Sequence, residues 1–183
     1  MQNFHVSEPR ERYDGEIEPV SAKQSNTLDG NEDLYGPNNA IDLNLDTRAW
    51  MIADSNNETW LQISLDQIYC VKRVRRLKKD GETLHTFTCN AKATNCICEG
   101  EFCQFFQLTV VIEDSSLGNL TQPTGCRYGL YGNRVKLQRI NVGAIKNVYE
   151  LSIVGFKGMK RHVPLKILYI MRYWYIANRL SCI

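Results

Sequence analysis

The chain has 183 residues, 22 Lys+Arg against 20 Asp+Glu, 43% hydrophobic residues and seven cysteines. That length suits one domain with tails, and the composition excludes a wholly disordered chain, a collagen and a coiled coil. A net charge of +2 gives no global attraction for nucleic acid, and seven cysteines are many for a cytosolic enzyme.

Residues 1–19 carry Glu8, Arg10, Glu11, Arg12, Asp14, Glu16 and Glu18 between Pro9 and Pro19, and read as a flexible charged arm. They hold no apolar run of signal-peptide length. Residues 20–47 are polar, with turn signals at Asp29-Gly30 and Gly36-Pro37 and no helical periodicity. Trp60 to Leu65 alternates Trp60, Gln62 and Ser64 against Leu61, Ile63 and Leu65, which predicts a strand with one aliphatic face. A β-branched, basic strand is expected over Ile68 to Leu77, and further strands over Phe105 to Glu113, Arg134 to Ile140 and Tyr149 to Phe156. Short strands between turn-rich loops, without a long amphipathic helix, predict an all-β antiparallel sandwich or barrel. Trp50 and Trp60 have the bulk for its centre. Residues 158–183 change character and read as an atypical C-terminal extension. Their longest apolar stretch, Leu165 to Ile183, is interrupted by Lys166, Arg172, Asn178 and Arg179, so it is not a membrane span.

The cysteines are clustered. Cys89, Cys96, Cys98 and Cys103 lie between two predicted strands, with Cys70 before them and Cys126 after. Zinc is the rival reading, but the tract lacks C-x2-C spacing and has only His85 nearby, so disulfides are favoured. Cys96 and Cys98 are too close to bridge each other and are expected to bond elsewhere; the six cysteines allow 15 pairings for three bridges. Cys182 is then the odd one. Two sequons, Asn57-Glu58-Thr59 and Asn119-Leu120-Thr121, mark candidate glycosylation sites. Cysteines and sequons together favour a secreted or extracellular protein whose signal peptide is not present in this chain.

Five pieces carry a family resemblance. Asn39-Ala40-Ile41-Asp42-Leu43-Asn44-Leu45-Asp46-Thr47-Arg48-Ala49-Trp50 resembles the A-[IV]-D-G-N-x-D-T-x-W motif of discoidin domains. Trp60 to Leu65 resembles that family's W-x-x-[IV]-D-L strand, and Ile68 to Val74 its next strand. Cys126 to Leu137, with Gly132-Asn133-Arg134-Val135, resembles the C-x(n)-G-x-x-V strand, and Tyr149 to Phe156 the closing strand. Leu43, Ser64 and Tyr149 replace the usual glycine, aspartate and cysteine. The resemblance implies a disulfide-stabilised jelly roll of the galactose-binding-like group over residues 20–157. A left-handed conformation at Leu43 would carry ~1–2 kcal/mol of strain.

In fucose-binding relatives the aspartate loop and the closing glutamate hold calcium. The resemblance places that set at Asn39 (by its carbonyl), Asp42, Asn44 and Glu150; the alternative is an Asx-type turn, which Asp42 and Asp46 can close without metal. The sugar site of those lectins needs a histidine and an R-x-D-x(4)-R-x-R run that this chain lacks, so fucose recognition does not carry over. The end loops of discoidin relatives correspond to about residues 29–37, 51–58 and 79–87, with Tyr35, Met51 and Ile52 as candidate contacts.

The run Lys72-Arg73-Val74-Arg75-Arg76-Leu77-Lys78-Lys79 holds six cations in eight residues. It is a candidate for heparan sulfate or anionic lipid, although a strand splits such a run between two faces. The histidines His5, His85 and His162 lie far apart and no P-loop, G-x-S-x-G, H-E-x-x-H or C-x-x-C is present, so no enzyme is expected. The sequence therefore points to an extracellular module that binds a glycan or glycosylated surface through loops at one end of a sandwich. The alternative is an adhesion or structural protein with a protein partner. No nucleic-acid partner is expected.

Overall fold

In a computed structural model of the chain, residues 15–90, 95–99, 108–115, 125–126, 129–139 and 147–157 are described. The strands are β1 (Glu16–Ile17), β2 (Pro19–Gln24), β3 (Asn26–Thr27), β4 (Met51–Ile52), β5 (Thr59–Leu77), β6 (Thr83–Cys89), β7 (Cys96–Glu99), β8 (Leu108–Glu113), β9 (Gly125–Cys126), β10 (Gly129–Arg139) and β11 (Glu150–Lys157). One short helix, α1 (Glu32–Tyr35), lies between two 3-10 turns, Leu28–Gly30 and Pro37–Ala40. Each strand pairing is antiparallel.

Strand β5 organises the molecule. Its first half pairs with β2 and β10, and its second half with β11 and β6. One layer is therefore β2-β5-β10-β8 and the other β1-β11-β5-β6-β7. The β7–β8 contact, Cys96 opposite Val110, joins the layers on the far side. The result is an antiparallel β-sandwich of jelly-roll type. The sequence predicts two strands over Trp60–Leu65 and Ile68–Leu77; the structure has one strand of 19 residues. The phase of its alternation explains the difference. Leu61, Ile63 and Leu65 are buried on odd positions, Cys70 and Val71 are buried in succession, and Val74 and Arg76 are buried on even positions. A strand that passes from one layer to the other swaps which side faces the core, so its pattern breaks where the chain does not.

Two glycines permit the local irregularities. Register shifts occur at Gly132/Arg134 in β10 and Val154/Gly155 in β11. A Cβ at Gly132 would stand 2.5 Å from Ile112 Cγ2, and one at Gly155 would stand 2.4 Å from the Cys70 carbonyl oxygen. No side chain fits at either place.

The core is aliphatic. Leu61, Ile63, Val135, Leu137, Val110 and Ile112 from one layer meet Val74, Phe87, Leu151 and Ile153 from the other. Trp50 and Trp60, expected at the centre, are half-buried instead. Trp60 is in phase with Gln62 and Ser64, so the alternation that buries Leu61 turns the indole outward. Strand β8 is described from Leu108, and the expected residues 105–107 lie outside the described residues. Residue 20, the expected start of the domain, falls within β2, and β1 before it already pairs with β11. Residues 158–183 lie outside the described residues.

Cys70–Cys126 joins β5 to β9, and Cys89–Cys96 joins β6 to β7. Cys98 is disulfide-bonded as well. Its partner, Cys103 and Cys182 lie outside the described residues.

Candidate functional site

The segment between β3 and β5 carries α1 and β4. Trp50 N–H donates to the Tyr35 carbonyl at 3.0 Å, which brings the end of α1 against the start of β4. The Tyr35 and Trp50 rings then meet edge to face, 5.5 Å between centroids. The Arg48 guanidinium stacks over both, 4.6 Å from the Trp50 centroid and 5.7 Å from that of Tyr35. Its Nη1 lies 3.5 Å from the Tyr149 hydroxyl. All four side chains are half-buried, and the ring contacts restrict the guanidinium.

The loop leading to Arg48 is held by its own polar groups. Asp42 Oδ1 accepts from Asn44 N–H at 2.9 Å, Asp42 Oδ2 from the Thr47 hydroxyl at 2.7 Å, and Asn44 Oδ1 from Asp46 N–H at 3.1 Å. These are successive Asx turns. Leu43 has φ +63°, the left-handed conformation for which the resembling motif uses glycine. Its N–H donates to Glu150 Oε2 at 3.2 Å, and that carboxylate is buried at the start of β11. Asn39 Nδ2 donates to the carbonyls of Asp33 and Arg48, each at 3.4 Å. Of the residues named for calcium, Asp42, Asn44 and Glu150 have side-chain oxygens that accept from N–H and O–H donors of this loop. Among the described residues no three His, Cys, Asp or Glu side chains gather to hold a metal. The Asp42 and Asn44 turns are closed by hydrogen bonds within the loop.

Of the three candidate contacts, Tyr35 lies in this cluster and Ile52 is 39% exposed. Met51 is a correction: it is fully buried in the core. Met51 and Ile52 are neighbours on a strand paired with Asn26–Thr27, so one must face inward. The loop expected over residues 79–87 is only a turn, since β6 begins at Thr83. Arg48 and Tyr149 join the Tyr35–Trp50 cluster, and the sequence motif singles out neither for it. An Arg two residues before a Trp in a turn-rich loop was the available signal, and it names no geometry by itself.

The basic run is dispersed. Arg76 is buried, with Nη2 on the Asn147 carbonyl. Lys72 Nζ lies 4.9 Å over the Phe156 ring, Lys78 pairs with Glu82 at 2.7 Å, and Lys79 lies 3.5 Å from Asp46. Arg73 and Arg75 share the outer side of β5. The six cations do not form one patch.

Asn57 sits at an exposed loop tip with φ +61°. Asp54 closes that loop: its Oδ1 accepts from the N–H of Asn56 and Glu58, and its Oδ2 accepts from Trp60 Nε1 at 3.3 Å. The Glu58 N–H first, then the Asn56 N–H, the indole and the Lys136 charge hold its carboxyl below the usual range, against opposing desolvation. Asn119 lies outside the described residues.

No family model and no curated protein matches the chain. Solved structures similar in fold include a Streptococcus pneumoniae fucose-binding module, 15% identical over 77% of this chain and 96% of that one, TM-score 0.45. A fucolectin from striped bass (Morone saxatilis) serum is 14% identical over 78% of this chain and 48% of that one, TM-score 0.46. An F5/8 type C domain of a Bacteroides fragilis protein is 12% identical over 80% of this chain and all of that one, TM-score 0.40.

Proposed function

We propose that the chain is an extracellular glycan-binding module that uses the loop end around Arg48. One observation carries this reading: the guanidinium of half-buried Arg48 lies over the Trp50 ring, 4.6 Å from its centroid, with Tyr35 and the Tyr149 hydroxyl beside it. Arginine offers donors in a rigid fork, which suits adjacent hydroxyl oxygens on one sugar ring. Stacking restricts its rotamers before a ligand arrives, so less side-chain freedom is lost on binding. The aromatic edges give apolar surface next to those donors, the combination a sugar needs. The disulfides support an oxidising compartment.

A glycan array probed with the folded protein tests this. Arg48→Ala is expected to weaken the hits about tenfold or more, and Arg48→Lys to restore little, because an ammonium lacks the planar fork. Binding in EDTA is expected to equal binding with calcium, since the Asp42 and Asn44 turns need no cation. An array silent to the wild-type protein, or unchanged by Arg48→Ala, sinks the reading; a protein partner would then be the ligand class to pursue.

A further inference from the structure

The outer face of the β2-β5-β10-β8 layer gathers a second set of side chains that the loop end does not use. Register puts Lys23, Gln62 and Lys136 in one row across three neighbouring strands. Trp60 and Gln138 form the row on one side, and Ser64 and Arg134 the row on the other. All project away from Leu61, Ile63, Val135 and Leu137, which line the core. The Trp60 indole is oriented by Asp54, and Lys136 Nζ stands 5.4 Å from its centroid. Among the described residues Lys23, Arg134 and Lys136 form no ion pair, in contrast to Lys78 and Lys79 of the basic run. Carboxylates stand at the margins: Asp54 beside the indole, and Glu113 opposite Arg134. Strand geometry separates Lys23 from Lys136 by about 10 Å, and Arg134 from Lys136 by about 7 Å.

We propose that this face binds a sulfated glycan chain. Cations held in no ion pair among the described residues, spread over a sheet, match anionic groups repeated along a polymer better than one small anion. The amides of Gln62 and Gln138 can both donate to and accept from hydroxyls between the charges. The Trp60 ring offers an apolar platform for one sugar face. A membrane surface would need several large apolar side chains standing out among the cations; the indole and Val111 opposite Lys136 are half-buried, and Val20 of β2 is small. The proposal is independent of the Arg48 reading: it uses other residues, and the two fail separately.

The test is elution of the full chain from immobilised heparin in a salt gradient, with titration of heparin oligosaccharide at fixed ionic strength. Lys23→Glu with Lys136→Glu is expected to elute at lower salt and bind at least about tenfold more weakly. Lys78→Glu with Lys79→Glu is expected to elute with the wild type. Trp60→Phe is expected to weaken binding while keeping its salt dependence, because stacking carries no charge. Melting curves confirm that each variant is folded; if charge reversal prevents folding, Lys23→Gln with Lys136→Gln replaces it. The proposal is overturned if the wild type passes heparin at physiological salt, or if the folded Lys23/Lys136 variant elutes with it. It is also overturned if desulfated heparin or single-stranded polythymidylate binds as well as heparin.

Discussion

His85 lies opposite Arg76 in the β5–β6 register, and the two are 2% and 9% exposed on the core side of the sheet. Burial first, and the Arg76 charge second, lower the His85 pKa from 6.5 to about 4. Desolvation alone lowers Arg76 to about 10. Between these His85 values the unfolded chain binds a proton that the folded chain refuses. The contribution to stability is therefore complete above pH 6.5 and is lost as pH falls towards 4. Urea midpoints measured from pH 8 to 4 are expected to decline across that window, and His85→Gln to decline less steeply. Parallel curves for the two proteins would place the titrating group elsewhere. The same scale holds the least readable parts of the site. Asp42 and Asn44 announce turns through their types, whereas the stacking of Arg48 on Trp50 depends on where Tyr35 returns in space.

At the scale of elements, alternation reads well wherever one face meets water and the other the core. Leu61, Ile63 and Leu65, and likewise Val135 and Leu137, are buried as the sequence predicts. The alternation fails at Met51, where a strand of two residues is too short to show its phase. The disulfides tie these elements with different leverage. Cys70–Cys126 spans 56 residues and Cys89–Cys96 spans seven. Loop-closure entropy assigns about 4 kcal/mol to the longer loop and about 2 kcal/mol to the shorter. Replacing Cys70 and Cys126 by alanine is expected to lower the unfolding free energy about twice as much as replacing Cys89 and Cys96, measured by urea denaturation. Equal losses would show that native packing outweighs chain entropy here.

For the whole molecule, β5 belongs to both layers and β10 follows it from Thr59 to Val71. Neither layer can open without removing a strand from the other. Far-UV circular dichroism and tryptophan fluorescence are therefore expected to report one coincident unfolding transition; separate midpoints would mean that the layers unfold independently. The sequence by itself determined the all-β class, the aliphatic faces and the polar outer faces, because these follow from residue type and a period of two. It also supplied the cysteines and the turn-forming aspartates, whose chemistry is local. Only the tertiary structure decided that β5 is continuous and that Lys23, Arg134 and Lys136 stand together on one face. Neighbours in sequence diverge on a strand, and residues far apart in the chain converge through register, so surfaces of this kind are written in strand pairing and not in any one segment.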